Sequence, residues 1–343
     1  MKDIVAAASV GLDIAKTWFQ VHGADADGKP VFRYKLRRDQ MEAFFQELPP
    51  TVVGMEACAT AHHWARSLGA LGHQVRLLPP EYVKPFVKRS KTDSADAEAI
   101  CEAMRRSGIR DVPVKSCEQQ GSLMLHRARD LLVRQRTMLT NALRGFAAEF
   151  GLVVGQGAWN ITKLREVLQT VDEVTFPEVA RATTQMLFAQ WDALERRIET
   201  LEKRIMSWHR SNPESRRLAT IPGIGPINAT LMAATVPDAR QFQSGREFAA
   251  WIGLVPKESS SGGKQRLGHI SKRGNPYMRR LLIVGAHAVL RWTRRGKGMQ
   301  SPWLLALIER RPANVVAVAI ANKMARIVWA LMMRNETYRS AAA

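Results

Sequence analysis

From Ser9 to Leu78 short apolar runs alternate with polar turns, and the runs carry the two-residue period of half-buried strands. SVGLDIAK predicts a strand leading to Asp13, and TWFQVHGA (17–24) its partner. Asp25–Gly28 is a turn and PVFRYKLRR a third strand. A helical pattern at Met41–Leu48 follows, then a strand TVVGMEA, a helix from about Ala61 to Leu71 and a strand QVRLLPP. Three antiparallel strands followed by β–α–β units predict an α/β domain.

The period then changes. Leu187, Trp191, Leu194, Ile198, Leu201, Ile205 and Trp208 are spaced 4-3-4-3-4-3, an a/d seam with charges between. Leu125, Ala128, Leu132, Gln135, Leu139, Ala142 and Phe146 form a weaker seam, with a loop-rich stretch at 151–184 between the two. The pair predicts an antiparallel coiled-coil hairpin or a dimer seam, with two core helices of an ordinary bundle as the plainer alternative. VVAVAIANKMARIVWALMM near the end is apolar but broken by Asn322, Lys323 and Arg326, the pattern of a buried helix and not of a membrane span.

Composition adds a partner. The 343 residues are 46% hydrophobic and 24% charged, which excludes a mostly disordered or collagen-like chain and suits two or three domains of ~150 residues. Lys and Arg number 51 against 31 Asp and Glu, a net charge of +20 that calls first for nucleic acid and second for an anionic membrane surface. Residues 240–343 hold 19 basic and 4 acidic side chains, so +15 of the excess belongs to the last third. Three cysteines form no C-x-x-C pair, and the apolar start is too short and too acidic for a signal peptide. An intracellular, reducing compartment is expected.

Four carboxylates interrupt this basic chain where metal chemistry would want them. Asp13 and Glu56 end predicted core strands; Asp93 and Asp96 lie three apart at the start of a helical pattern, on one helix face. Clustered carboxylates suit Mg²⁺, a hard cation, and two such ions can stabilise attacking and leaving oxygens in phosphoryl transfer. Any one of them alone would read as a solvated acid or helix cap. His62 and His63 point about 100° apart on a helix, so they read as packing or phosphate-contacting residues.

LATIPGIGPINATLMAAT (218–235) is a Pro-Gly-x-Gly turn leading into a helix near Pro226. Gly223 and Gly225 expose backbone N–H groups for a phosphate, in the manner of a helix-hairpin-helix; a plain helix corner is the alternative. The Ser/Gly run after Glu258 reads as a flexible loop, followed by Lys264, Arg266, Lys272, Arg273, Arg279 and Arg280 as phosphate contacts. A serine hydroxyl among such cations is a candidate nucleophile toward DNA phosphorus. Trp292 and Trp303 read as buried aromatics that could alternatively stack on bases.

GLDIAK, MEACATAHHWAR and KTDSADAEAI resemble, in order and spacing, the N-terminal half of DEDD transposases of the insertion-sequence 110/1111 type, the bridge-RNA-guided recombinases. The resemblance runs from about residue 9 to residue 335. It implies a RuvC-like, ribonuclease-H-like catalytic domain (1–112), a helical coiled-coil region (113–212), a C-terminal transposase domain (213–335) and a tail (336–343). Asp13, Glu56, Asp93 and Asp96 match the family's acidic tetrad, holding Mg²⁺, or Mn²⁺ in its place. Ser261, directly before Gly262, matches the catalytic serine, with Ser260 and Ser259 one alignment slip away. The resemblance further implies a covalent phosphoserine link, a site completed by two subunits of a dimer or tetramer, and a non-coding guide RNA pairing with element ends and target DNA. A bacterial cytoplasmic, nucleoid-associated enzyme without a membrane partner follows. Two other functions stay open: a RuvC-like, structure-selective nuclease using water, and a non-catalytic nucleic-acid-binding protein.

Overall fold

The computed structural model describes residues 6–87, 93–155, 157, 160–298 and 301–339, with only the backbone of Asp93. They divide into two compact units: residues up to Ser116 with Val236–Gln241, and Cys117–Thr235 with residues from Phe242 onward.

The first unit is built on a five-stranded sheet of order β3-β2-β1-β4-β5. Strands β1 (Ser9–Ile14), β2 (Trp18–Ala24) and β3 (Pro30–Arg37) are antiparallel, while β4 (Val52–Glu56) and β5 (Gln74–Leu78) extend β1 in parallel. Helices α1 (Met41–Glu47), α2 (Ala61–Ala70) and the short α3 (Pro80–Val83) connect them. Phe19, Phe45, Trp64 and Leu68 fill the core on the α1 and α2 side. Across the other face lies α4 (Asp93–Met104).

Two in-register glycines admit α4 to that face. Gly11 pairs with Gly54. A Cβ on Gly11 would stand 2.2 Å from the Ala97 carbonyl oxygen, and one on Gly54 would stand 2.1 Å from Met104 Sδ. The helix backbone therefore sits closer to the strands than any larger residue allows.

The second unit is helical. Its centre is an antiparallel pair, α5 (Cys117–Glu149) and α7 (Glu178–Ser211). Trp208 donates to Glu118, Arg129 and Arg136 reach Glu202 and Glu195, and Trp191 donates to Thr140, so one helix ascends as the other descends. The α7 seam is the one the heptads predict, with Leu194, Ile198 and Ile205 buried. The α5 seam is not. Gln135 and Phe146 are exposed, and the buried side is Leu123, His126, Leu143 and Ala147. The reason is that Arg129 and Arg136 take inward positions and end in ion pairs, which hides the seam from a count of apolar residues. Within the stretch read as loop, α6 (Asn160–Thr170) buries Ile161, Leu164 and Leu168 against Leu143, Phe176 and Phe188.

Beyond the pair, α8 (Pro213–Leu218) and α9 (Pro226–Thr235) flank the Pro-Gly-x-Gly turn. Helix α10 (Gly245–Ile252) leads to a two-stranded hairpin, β6 (Pro256–Glu258) and β7 (Leu267–Ile270). Three helices follow: α11 (Pro276–Arg294), α12 (Pro302–Arg310) and α13 (Ala313–Arg334). Helix α13 is long and apolar enough to cross a membrane by length and composition. Here it buries Val316, Ile320, Met324 and Val328 while packing on α10 and α11.

Candidate functional site

Asp13 and Glu56 each follow a residue of a paired couple, Leu12 with Met55, so they occupy the next position of two adjacent parallel strands about 4.8 Å apart. Side chains alternate along a strand, so Asp13 shares a face with Gly11, and Glu56 with Gly54. That is the face α4 covers. Ser9 Oγ lies 3.5 Å from Cys101 Sγ, and Gly11 abuts Ala97, so α4 runs toward its own N-terminus as β1 runs toward Asp13. The strand end carrying Asp13 thus lies toward the helix end carrying Asp93 and Asp96, while Gly54, two residues before Glu56, lies against Met104 at the other end of α4. Asp13, Glu56 and Asp96 are half-buried; the side chain of Asp93 lies outside the described part.

Among the described residues no three His, Cys, Asp or Glu side chains stand close enough to hold one ion. The donor chemistry nevertheless fits a hard divalent cation: oxygen donors, partly shielded at strand ends, where such an ion keeps some of its water. His62 and His63 take no part in the cluster. His62 is 3.1 Å from Lys115 Nζ, and the His63 ring lies edge-on to Trp64.

The second group of predicted residues lies on the β6–β7 hairpin. The Ser/Gly run, expected from composition to be a flexible loop, forms the tip of the hairpin. Ser261 bridges to Lys264, and Gly262 and Gly263 between them both have positive φ, 56° and 75°. Two consecutive left-handed residues form the turn whose twist matches a tight hairpin, and Gly-Gly supplies them without strain. Ser260 Oγ donates to Glu258 Oε1 at 2.7 Å and accepts from the Arg266 N–H. Ser261 Oγ makes no hydrogen bond among the described residues and is exposed at the tip. Lys264, Arg266, Lys272 and Arg273 pair with no carboxylate among the described residues.

Two expected phosphate contacts are otherwise engaged. Arg279 is buried, and its guanidinium donates to the carbonyls of Ile252 and Arg273, closing the root of the hairpin. It is a structural residue, because a buried cation must satisfy its donors within the fold. Arg280 is half-exposed and ion-paired to Asp130. Gly223 faces inward: a Cβ there would meet Val289 and the Gly285 carbonyl oxygen at 2.9 Å or less, whereas Gly225 faces open space. Trp292 and Trp303, read as buried, are 52% and 39% exposed.

Sequence reasoning missed a buried polar cluster near this region. His126 Nε2 lies 2.9 Å from Thr230 Oγ1, while His126 Nδ1 and both amide atoms of Asn228 have no partner among the described residues. Burial, aided by the nearby Arg129 charge, lowers the His126 pKa to about 4. Nothing in the heptad pattern marks this histidine.

Two family models match the chain. Residues 10–150 match a transposase profile of the DEDD type of IS110, and residues 215–299 match that of the "Transposase IS116/IS110/IS902 family". The chain is 50% identical to a "Probable family 20 transposase" of Pseudomonas aeruginosa, over 96% of this chain and 98% of the relative. It is 40% identical to the "Transposase for insertion sequence element IS1111A" of Coxiella burnetii, over all of this chain and 93% of the relative. To the IS1328 transposase of Yersinia enterocolitica it is 38% identical, over 96% and 98%. A DEDD domain implies use of a divalent metal, as the carboxylate set fits. The chain belongs to the DEDD transposases of the IS110/IS1111 type, enzymes that act on DNA to cut and rejoin it.

Proposed function

We propose that Ser261 is the nucleophile of this transposase and that Asp13, Glu56, Asp93 and Asp96 hold Mg²⁺, with Mn²⁺ as a substitute. The observation that carries the reading is the hairpin tip: a hydroxyl without a partner among the described residues, on a hydrogen-bonded turn, with Lys264 and Arg266 on the returning strand pairing with no carboxylate among the described residues. Ser260 is the weaker candidate because its hydroxyl holds the hairpin together.

In the proposed step Ser261 Oγ attacks a DNA phosphorus, a P–O bond to the adjoining sugar oxygen breaks, and a phosphoserine diester forms. The Oγ proton passes to solvent and the released sugar oxygen takes one up. Lys264 and Arg266 neutralise charge on the phosphoryl oxygens and hold the strand at the tip. Reversal with a different sugar hydroxyl joins the new strand and frees the serine. The metal, when bound, supplies Lewis-acid stabilisation of that charge; the four carboxylates orient it, and the α4 contact on Gly11 keeps their supporting elements together.

The sheet order and its covering helix support a ribonuclease-H-like, RuvC-like first domain at 1–112, a coiled-coil region at 113–212 and a transposase domain at 213–335. Gly225, facing open space beside the N-terminus of α9, supports phosphate binding of the helix-hairpin-helix kind. A guide RNA, a homo-oligomer sharing its sites and a bacterial cytoplasmic, nucleoid-associated location complete the reading, carried by the family resemblance.

Cleavage of labelled element-end DNA, with Mg²⁺ and the RNA transcribed beside the gene, tests it. Ser261→Ala and Asp13→Asn should each lower the rate by about 10³-fold or more, as loss of a nucleophile or metal ligand does. Full cleavage by Ser261→Ala would support a nuclease that uses water.

A further inference from the structure

The hairpin is rooted in the wall of an open groove that no role above uses. The groove has a volume of about 940 Å³, at the upper end of ligand-sized sites. Its lining includes Pro256 and Ile270, the first residue of β6 and the last of β7. One wall is the apolar face of α13 with Val315, Val318 and Ile327; Trp303 of α12 stands opposite, with Lys323 Nζ 4.4 Å from its ring centre. At one end is the start of α10, where the N–H groups of Gly245 and Arg246 precede any partner within the helix.

Its electrostatics have one sign. Arg246, Lys323 and Arg326 line the groove, no Asp or Glu does, and none of the three pairs with a carboxylate among the described residues. Arg246 and Arg326 are exposed. The positive end of α10 adds to the same field.

We propose that this groove binds an unpaired segment of the DNA strand being processed, a base lying against Trp303 and the α13 wall and phosphates resting on Arg246, Arg326 and the α10 N-terminus. The occupant follows from the two surfaces together. An apolar peptide would cover the tryptophan but bury Arg246 and Arg326, which pair with no carboxylate among the described residues, at high cost. A duplex would meet the cations but present no free base to the apolar wall. A single strand supplies both a π-face and a phosphate at each step. The DNA strand is favoured over a guide RNA by continuity: five residues of hairpin, on the order of 16 Å, separate Pro256 from Ser261. The groove's affinity for a single strand does not depend on the nucleophile; the choice of DNA over guide RNA rests on the proposed role of Ser261.

The test is fluorescence anisotropy with the full chain in EDTA, where no chemistry occurs, using labelled oligothymidylate, oligouridylate and a duplex of about 20 nucleotides. Arg246→Ala/Arg326→Ala should weaken oligothymidylate binding by about 10-fold or more and lower its salt slope by about 1.4, while duplex affinity changes by less than about twofold. Trp303→Ala should lose about 5- to 100-fold on the same strand, and Trp303→Phe should restore most of it. Equal losses on duplex, losses confined to oligouridylate, or no loss would overturn the proposal. Should Trp303→Ala fail to fold, iododeoxyuridine cross-linking of the unaltered chain decides: an adduct on Trp303 or on residues 323–330 supports the groove, and adducts only elsewhere overturn it. Because no strand is cut in EDTA, failure here leaves the serine mechanism standing, and failure of that mechanism leaves this result standing.

Discussion

Ser260 and Ser261 are adjacent and chemically identical, yet the hairpin divides their work. One hydroxyl closes the turn against Glu258 and Arg266; the other projects from the tip. Ser260→Ala should therefore retain cleavage at a rate lowered about 3- to 30-fold, through a loosened turn worth about 1 kcal/mol or somewhat more. Gly11 carries a second prediction. A methyl group there meets backbone of α4, which cannot rotate aside, so Gly11→Ala should cost about 1–3 kcal/mol in a denaturant melt and impair metal-dependent cleavage. His126 carries a third. Its folded pKa of about 4 lies below the unfolded value of 6.5, so between those values the unfolded chain binds the extra proton. The contribution is fully present above pH 6.5 and is lost as pH falls toward 4, on the order of 3 kcal/mol in all. Melts from pH 7 to 4.5 should show His126→Gln with the flatter profile; equal slopes would contradict it. Asp13 and Glu56 were legible at this scale because a carboxylate closing an apolar strand breaks its pattern. Arg279 was not: a cation satisfied by buried carbonyls and one meeting phosphate have the same letter and the same basic neighbours.

At the scale of elements, apolar periodicity found what apolar residues build. The five strands and α7 follow it closely. It misplaced the α5 seam, since Arg129 and Arg136 run their methylene stems along the helix pair and pair only at the ends. Arg129 is 17% exposed and Arg136 28%. A double-mutant cycle should thus give Arg129–Glu202 a coupling of about 1–3 kcal/mol and Arg136–Glu195 roughly 0.5–1 kcal/mol. Equal, near-zero couplings would mean that the stems, and not the charges, hold the pair. The hairpin was read as loop for a related reason. Ser and Gly have low strand propensity, and the tight turn rests on the positive φ of Gly262 and Gly263.

For the whole molecule, a net charge of +20 suits the DNA on which the family acts, and +15 of it lies within residues 240–343, the third of the chain to which we assign the grip. The groove, the hairpin, Trp292 and Trp303 all lie in that third, while the strand-end acids lie in the near-neutral first unit. Charge, period and motif change together along the chain, which is why the sequence divides into domains on paper, while the structure groups the residues into two compact units. The groove was not legible, since it is assembled from α10, α12, α13 and the hairpin root, segments far apart in sequence. The central claim is covalent catalysis from the hairpin tip. Its most direct test is a denaturing gel of labelled element-end DNA incubated with the full chain, guide RNA and Mg²⁺, followed by mass spectrometry of any retained protein. The account predicts a heat-stable protein–DNA adduct at Ser261 that is absent from Ser261→Ala and from reactions in EDTA. DNA cut without an adduct, or an adduct that survives Ser261→Ala, would contradict it.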